Sequence, residues 1–546
     1  MKRRDLNKPV KPNDKKVIIA TIAYVLVLVI AFVLYVVLVI NKPTISPEDA
    51  QEFLVTELLG SGEQWLQRPG YRLARDDFER LIGIDMMNPR GYTGAAEAYI
   101  GLGELSRAES VLRQGVIILP DNEEIVAALS AVELLALDAV TFSAIEKPVT
   151  SITIKDVKFS TAIRQLDLSW MELTESDIEP LVYMTNLTSL TLDYSSASDI
   201  SSLSGLTNLS SLTIGGGKLS DITALSRLTN LSSLTIGGGE LSDITALSGL
   251  TNLSILSLSC NDLTDISALS ELTNLTDLTI RGGKLSDINA LSGLSNLSIL
   301  RLTSNDISDI SGLSGLTNLN YLNLYGNQIS DLSPLSGLTN LTDLFIISNQ
   351  VSDINALNGL TNLTSLSLSE NQIIDISPII GLTNLSFLDL SDNQIRDLAS
   401  LSGLTDLSRL HLDTNQISDL SPLSGLVKID SLFLGNNLIS NIDALDGLAT
   451  LKFLDLKNNQ VSDIGIISSL TRLGGLYLDG NRVSDLSPLV GLSNLVGLEL
   501  QSNQISDVTA LHGLNHLKRL ELWDNPALTK EQLDELQAAL PFCEIE

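Results

Sequence analysis

The sequence predicts an α/β solenoid with one short parallel strand in each repeat, preceded by a transmembrane helix and a small all-α domain. A 22-residue unit recurs sixteen times between residues 184 and 525 without insertion or deletion. A fixed period of this length is typical of a solenoid, in which each unit packs only on its neighbours. An uncharged apolar run at 17–40 and helical spacing over 41–139 predict the two preceding elements.

The charge of the chain is strongly asymmetric. A total of 34 Lys+Arg against 65 Asp+Glu gives a net charge of -31. Residues 1–16 carry seven basic and two acidic side chains, or +5, so the remainder carries -36. An acidic body repels nucleic acid and anionic lipid surfaces, so a nucleic-acid partner is not expected.

The apolar run at 17–40 is 24 residues long. As a helix it spans roughly 36 Å, enough to cross a hydrocarbon core of about 30 Å. The alternative is a cleaved signal peptide, but the run is longer than a signal core and no small-residue cleavage site follows it. We therefore predict an uncleaved signal anchor, with the basic tail 1–16 in the cytoplasm and the repeats outside the membrane.

A second period is visible in the helical segment 41–139. Ala74 and Phe78 recur 34 residues later as Ala108 and Leu112. The pattern also includes Tyr92, Ala96, Tyr99 and Pro120. It resembles a tetratricopeptide repeat, in which small residues let two antiparallel helices touch and a proline ends the unit. Such a domain implies a second interaction module, and a plain helical spacer is the alternative.

Each 22-residue unit predicts one strand and one turn. The unit reads Leu-Thr-Asn-Leu-x-x-Leu-x-Leu-x-x-Asn-x-Ile-Ser-Asp-Ile-x-x-Leu-x-Gly. Positions seven and nine point inward and positions six, eight and ten outward, as in a strand. Residues 140–183 form an N-terminal cap and an atypical first repeat, in which Leu166 is the counterpart of Leu190, and residues 526–546 form a C-terminal cap.

Two polar columns run along the repeats, and we interpret both as structural. Position twelve is Asn in twelve units, where a buried amide can satisfy backbone groups at the turn. These residues are Asn261, Asn305, Asn327, Asn349, Asn371, Asn393, Asn415, Asn437, Asn459, Asn481, Asn503 and Asn525. Position sixteen is Asp in fourteen units, from Asp199 to Asp507. Calcium binding is one interpretation of this column, but the other oxygen ligands do not recur, so we predict caps of helical or 3₁₀ turns.

The repeat resembles the leucine-rich repeat, and its Ile-Ser-Asp-Ile-Ser-Pro-Leu core resembles the internalin-like class of bacterial proteins over residues 160–546. The resemblance implies extracytoplasmic protein binding through the concave face of the sheet, sometimes as an adhesin. Position three also creates nine closely spaced Asn-Leu-Ser/Thr sequons, which fits a bacterial origin. The anchor, the helical domain and the lack of a wall-sorting motif depart from the class, so a role in host invasion is not expected.

A candidate binding face lies on the outward positions of the later strands. The first units place Ser, Thr and Gly there, whereas later units place rings, Arg and His in a chain that is only 4% aromatic. Such residues dominate protein interfaces, although they can also pack on one another and stiffen the sheet. The predicted protein-binding residues are Tyr321, Tyr325, Phe345, Phe387, Arg409, His411, Phe433, Phe453, Tyr477 and Trp523. A glycan ligand on an adhesive or structural envelope protein is the alternative.

Neither catalysis nor a cofactor is expected. His411 has Asp389 and Asp413 on neighbouring outward positions, but serine recurs in every repeat and no nucleophile elbow or phosphate loop is present. Cys260 and Cys543 lie far apart along the array, so neither a disulfide nor a Cys/His metal site is predicted.

The asparagine column predicts a gradient of rigidity. Position twelve is Ser195, Gly217, Gly239 or Gly283 in the early units, and glycine has no side chain with which to bridge the turn. We expect backbone amides in the first third of the array to exchange hydrogen faster than those in the later repeats. Hydrogen exchange read by mass spectrometry checks this, and uniform protection along the array contradicts it.

Overall fold

The computed structural model describes residues 47–67, 70–132, 149–193, 195–216 and 218–546. The chain divides into two compact units, Met1–Pro148 and Val149–Glu546. The predicted tail at 1–16 and anchor at 17–40 lie outside the described residues. Within the ranges that are described, no helix combines the length and the apolar character needed to cross a membrane.

The described part of the first unit is all-helical. Its helices are α1 (Pro47–Leu66), α2 (Tyr71–Ile84), α3 (Pro89–Gly101), α4 (Leu105–Ile118) and α5 (123–132). Asn88 caps α3 by accepting a hydrogen bond from the Arg90 amide, and Pro89 occupies the first turn, where its missing N–H costs nothing.

Small residues let these helices pack closely. Ala74, Phe78, Ala108 and Leu112, which the 34-residue period relates, are all fully buried. At Gly94 an added Cβ would lie 2.6 Å from the Phe78 ring, so the glycine is required by the approach of the ring. An all-helical domain is therefore present, while its assignment to the tetratricopeptide class stays a prediction.

The second unit opens with an antiparallel hairpin, β1 (Ser151–Ile154) and β2 (Val157–Ser160). Its two turn residues, Lys155 and Asp156, both have positive φ, as a tight hairpin turn requires. A short helix, α6 (Glu175–Ile178), follows the first strand of the main sheet and carries a capping box between Thr174 and Asp177.

A parallel sheet of eighteen short strands then follows chain order. The strands are β3 (Gln165–Asp167), β4 (Ser189–Leu192), β5 (Ser211–Gly215), β6 (Ser233–Gly237), β7 (Ile255–Ser259), β8 (Asp277–Arg281), β9 (Ile299–Thr303), β10 (Tyr321–Asn323), β11 (Asp343–Phe345), β12 (Ser365–Ser367), β13 (Phe387–Asp389), β14 (Arg409–His411), β15 (Ser431–Phe433), β16 (Phe453–Asp455), β17 (Gly475–Tyr477), β18 (Gly497–Glu499), β19 (Arg519–Glu521) and β20 (Glu544–Ile545). Each strand pairs with the next, and the predicted solenoid of short parallel strands is confirmed.

The register follows the 22-residue period. Leu322 pairs with Leu300 on one side and Leu344 on the other, and Leu166 pairs with Leu190 as predicted. Repeat positions one, four, seven, nine, fourteen, seventeen and twenty are buried along the array and form one continuous core. Because each inward column continues into the next repeat, no repeat can shift without exposing its leucines.

Sixteen 3₁₀ helices form the opposite side of the repeats. They are Glu179–Tyr183, Ser201–Leu203, Thr223–Arg227, Thr245–Leu247, Ser267–Leu269, Asn289–Leu291, Ser311–Leu313, Ser333–Leu335, Asn355–Leu357, Ser377–Ile379, Ala399–Leu401, Ser421–Leu423, Asp443–Leu445, Gly465–Ser469, Ser487–Leu489 and Thr509–Leu511. The position-sixteen aspartates accept the amide hydrogen at the start of these turns, as Asp331 does from Ser333 at 2.8 Å. The column therefore caps 3₁₀ turns, as predicted.

The position-twelve amides form an inner ladder between repeats. Asn415 Oδ1 accepts from the Ile395 amide at 2.9 Å, and its Nδ2 donates to the Leu390 carbonyl of the preceding repeat at 2.9 Å. The same Nδ2 also contacts the carbonyls of Leu412 and Asp413 within its own turn. One side chain thus satisfies backbone groups of two repeats in a buried place that water does not reach.

The predicted role of Asn261 in this ladder is wrong, because the ladder begins at Asn305. Asn261 is exposed, and the preceding Cys260 is buried in its place. In the later repeats the residue before the ladder asparagine has a positive φ, as Ser304 does at 56°, whereas Cys260 does not.

The early turns have a different shape altogether. At Gly239 an added Cβ would lie 2.6 Å from the Leu219 carbonyl oxygen, so no larger residue fits. Strands β5 to β9 are also five residues long, against three in β10 to β19. The early repeats therefore use additional strand pairing where the later repeats use the asparagine ladder.

A second, outer asparagine ladder was not predicted. The position-three amides donate to the position-two carbonyl of the preceding repeat, as Asn208 does to Thr185 at 2.8 Å. His516 replaces the amide at the last such position, with its Nδ1 2.8 Å from the Ser493 carbonyl oxygen. The sequons interpreted above as a mark of bacterial origin thus have a structural function of their own.

A helix and a strand close the sheet. The helix α7 (Lys530–Ala539) begins at Thr529, which forms a capping box with Gln532. The final strand β20 pairs in parallel with β19.

Replacing Asn415 by Ala tests the inner ladder. The change leaves the Ile395 amide without a partner and removes one of the two side-chain amide donors to each of the Leu390 and Leu412 carbonyls. We therefore expect a loss of roughly 1–3 kcal/mol of local stability. Asn261→Ala is the matched control, because this exposed amide takes no part in the ladder, and we expect a change within about 0.5 kcal/mol. Urea unfolding followed by circular dichroism measures both, and equal effects of the two substitutions contradict the assigned role.

Candidate functional site

The predicted binding residues lie on the exposed face of the sheet, but the structure divides them into two ring clusters and three separate residues. Each ring stands on an outward position of its strand, and most are half-buried. The repeat of strand β12 separates the two clusters because its outward residues are Ser365, Ser367 and Ser369.

The larger cluster, which we call the ring column, crosses five strands from β13 to β17. Its centroid distances are 5.7 Å for Phe387–His411, 4.1 Å for His411–Phe433, 4.8 Å for Phe433–Phe453 and 4.9 Å for Phe453–Tyr477. Three of these separations lie in the range of favourable aromatic pairs, and His411 and Phe433 are stacked more closely, with 19° between their planes. The rings therefore support one another and still present half-buried surfaces, so stiffening of the sheet and ligand contact are compatible.

The smaller cluster joins Tyr321 on β10 to Phe345 on β11, with ring centroids 5.5 Å apart. Arg301 on β9 places its guanidinium carbon 4.6 Å from the Tyr321 ring centroid and pairs with Asp277 at 3.1 Å. This cation–π contact was not predicted, although Arg301 occupies an outward position that the repeat pattern identifies.

The remaining predicted residues are Tyr325, Arg409 and Trp523. Tyr325 is 43% exposed and Trp523 is 54% exposed, and within the described chain neither joins a ring cluster. Tyr325 lines a shallow pocket of about 580 Å³ together with Arg281 and Asn261. Arg409 is exposed on β14, beside Phe387 in the sheet register.

His411 and Asp389 do not form a catalytic pair. Asp389 accepts hydrogen bonds from Ser391 Oγ at 2.7 Å and Ser367 Oγ at 2.9 Å, while His411 Nε2 has no hydrogen-bond partner in the described residues. Burial lowers the pKa of His411, against the opposing attraction of Asp389. In the described residues, no hydrogen bond of Nε2 therefore orients the His411 ring.

An acidic pocket lies beside the ring column. It has a volume of about 350 Å³ and is lined by three rings, three carboxylates and one ammonium group. These residues are Phe433, Phe453, Tyr477, Asp413, Asp455, Glu499 and Lys457. We call it the β14–β18 pocket, after the strands that contribute its residues.

Burial governs the electrostatics of this pocket. It raises the pKa of Asp413 to about 6, with a further contribution from the negative charge of Asp455. Asp479 and Glu499 also have raised pKa values because they are partly buried beside other carboxylates. Asp455 is 5% exposed and pairs with Lys457 Nζ at 3.2 Å. The pocket therefore favours additional positive charge.

Asp455, Lys457 and Glu499 line this pocket but are not among the predicted binding residues. Glu499 stands at an outward position of β18, which carries no ring, and the repeat pattern could have identified it.

The repeats of the array are leucine-rich repeats. The family model described as Leucine Rich repeats (2 copies) matches residues 295–337, 317–359, 339–381, 361–405, 383–425 and 449–491. No curated protein is a significant sequence match to the chain.

The array is similar in structure to solved bacterial leucine-rich repeat proteins. A leucine-rich repeat protein of Leptospira interrogans is 25% identical with a TM-score of 0.64, over 68% of this chain and 99% of that one. The functional domain of InlJ from Listeria monocytogenes is 25% identical with a TM-score of 0.56, over 62% of this chain and 74% of that one. That domain includes a cysteine ladder, which two cysteines cannot build here.

An internalin of Listeria monocytogenes is 36% identical, over 56% of this chain and 85% of that one, with a TM-score of 0.48. The similarity of the array to bacterial leucine-rich repeat proteins, one of them an internalin, rests on the leptospiral protein and the InlJ domain.

Asp413 and Asp419 of one repeat should titrate in opposite directions. Burial raises the pKa of Asp413 to about 6, whereas the hydrogen bond from the Ser421 amide lowers the pKa of Asp419. Ionised Asp413 therefore opposes folding above about pH 6, and this penalty disappears as the pH falls toward about 4. Asp419 stabilises the fold above about pH 4, and that contribution is lost as the pH falls through its lower folded-state pKa.

Carboxyl ¹³C NMR measures both transitions, with Asp413→Asn and Asp419→Asn used to assign the signals. Equal midpoints for the two aspartates contradict the burial of Asp413.

Proposed function

We propose that this chain is a non-catalytic, membrane-anchored scaffold at the bacterial cell surface that captures a protein partner on the concave face of its repeats. The supporting observation is the ring column from Phe387 to Tyr477 on the exposed face of the sheet. Rings held half-buried by their neighbours offer contact area while losing little conformational freedom on binding, which is typical of interface hot spots.

The rigidity of the support favours this function. Each strand of the column is fixed by parallel pairing on both sides and by the asparagine ladder behind it. A partner therefore meets a surface that needs little rearrangement, and pre-organisation of this kind increases affinity.

The proposed location rests on the sequence. The uncharged run at 17–40 and the positive charge of 1–16 favour a single span with the N-terminus in the cytoplasm and the repeats outside. The helical domain is then a second interaction module or a spacer.

A glycan-binding or adhesive envelope protein is the second candidate. The exposed rings of Tyr325 and Trp523 favour it, because an unstacked ring can lie flat against a sugar. These two rings are isolated, however, whereas the ring column extends over five strands.

The test is cross-linking on intact cells with a membrane-impermeant reagent, followed by purification of the full chain and mass spectrometry of bound proteins. We expect Phe345→Ser, Phe387→Ser and Phe433→Ser together to reduce partner recovery at least about tenfold, as loss of hot-spot residues does. The matched control replaces three exposed apolar residues outside the sheet face, Ile374, Ile380 and Val427, by Ser.

Three outcomes contradict the proposal. Equal recovery from both triple variants means that the sheet face is not the binding surface. Absence of cross-links on intact cells, with cross-links in lysed cells, means that the repeats are not outside the membrane. Binding of the purified chain to glycans on a microarray favours the second candidate instead, if substitution of Tyr325 or Trp523 abolishes that binding.

A further inference from the structure

The β14–β18 pocket contains more negative charge than its own cation neutralises. Asp455 is paired with Lys457, but Asp413 and Glu499 form no ion pair with any described residue. Asp413 Oδ1 accepts the Gly435 amide at 2.9 Å. Two of the three carboxylates in the pocket are thus partly removed from water without a cation of the described chain at ion-pair distance, which is a costly arrangement without a ligand.

Two residues next to pocket residues carry acceptors without a hydrogen-bond partner among the described residues: Gln501, which interacts with Glu499, and Asp479, which follows Tyr477 by two residues. Gln501 is 8% exposed, and its Oε1 has no hydrogen-bond partner in the described chain. Asp479 Oδ1 is likewise buried and unpartnered, and it lies close enough to Lys457 for their charges to interact. Buried acceptors of this kind are usually satisfied, so a ligand rich in hydrogen-bond donors fits here.

The residues that line the pocket restrict the chemical class of ligand that it can bind. Phe433, Phe453 and Tyr477 present ring surfaces that attract an organic cation and pack against an aliphatic stem. A bare metal ion has no aliphatic stem that could pack against the three rings. An anion meets three carboxylates.

We propose that the β14–β18 pocket recognises a lysine or arginine side chain on an extended segment of a protein partner. Such a side chain carries only donors, a positive charge and an apolar stem, which match the acceptors, the carboxylates and the rings in turn. Lys457 shows the chemistry within the chain itself, since its ammonium group already lies beside Asp455 with Asp413 and Asp479 nearby. The inference rests on the proposed function, because it specifies what the captured partner presents to the ring column.

The net charge of the chain favours a separate partner over a second copy. At -31, two copies repel one another, whereas a basic segment is attracted to the face before contact. The chain's own basic residues 2–16 are an alternative occupant, which the experiment separates.

The probe is a labelled seven-residue peptide that alternates glycine with three lysines, titrated into the full chain at 0.15 M salt and followed by fluorescence anisotropy. The matched probe has the same sequence with each lysine Nε-acetylated, so that only charge and donors are lost. We expect binding of the first peptide and at least about tenfold weaker binding of the second.

Two charge-matched double variants locate the binding. Asp455→Asn with Glu499→Gln removes two charges from the pocket and should weaken binding about tenfold. Asp343→Asn with Glu370→Gln removes two charges from other repeats of the array and should leave the affinity within about twofold. Asn and Gln retain the hydrogen-bond acceptors, and thermal unfolding by circular dichroism checks that all variants fold.

Each of the following results overturns the inference: equal binding of the acetylated peptide, equal effects of the two double variants, tighter binding of spermine than of the peptide, or pocket-dependent binding that appears only after residues 2–16 are removed. If the triple phenylalanine variant loses its partner while the Asp455→Asn, Glu499→Gln variant binds the lysine peptide normally, the proposed binding face is supported and the proposed ligand of the pocket is wrong. If only the Asp455→Asn, Glu499→Gln variant loses peptide binding while the triple phenylalanine variant still recovers the partner, the pocket's ligand is supported and the proposed function is wrong.

Discussion

The structure depends on one constraint, which is that each repeat must satisfy backbone groups that its neighbour leaves open. A strand of three residues pairs with the next strand only briefly before the chain turns away, and the turn then buries amides and carbonyls without partners. The inner asparagine ladder satisfies these backbone groups within the core, and the outer ladder of position-three amides satisfies backbone carbonyls at the surface. Because both ladders join residues of successive repeats, the array is held together along its length by polar contacts as well as by leucines.

Where asparagine is absent, the chain satisfies the constraint in other ways. Ser195 is buried, accepts from the Ala197 amide and lies 3.2 Å from the Leu173 carbonyl oxygen to which it donates. Strands β5 to β8, whose repeats contribute no asparagine to the inner ladder, instead extend the pairing by two residues before the turn. The array is therefore two structural segments with one period, and the ring clusters occur only in the segment with the inner ladder. The ring clusters thus lie on repeats whose turns are bridged by asparagine side chains.

Much of the fold could be predicted because the 22-residue period determines the register. Leu166 pairs with Leu190 across a lengthened first turn, and the inward and outward positions of every strand follow from the alternation. The period could not reveal that Cys260 replaces Asn261 inside the turn, because that depends on the backbone path and not on the order of residue types. It also could not show that the rings contact one another, or that Asp413 is buried deeply enough to change its pKa. Those properties are set by side-chain rotamers on neighbouring strands, which a repeat pattern does not encode.

The repeat of strand β12 divides the exposed face into two parts. Its three outward serines leave a gap without rings between Phe345 on β11 and Phe387 on β13, which are two strand spacings or about 10 Å apart. Ring contacts on one side of the gap do not extend to the other, so the two clusters act as separate attachment points on one rigid support. A partner that reaches both binds the second at a high effective concentration once the first is engaged, and its residence time then depends on how well its own spacing matches the gap.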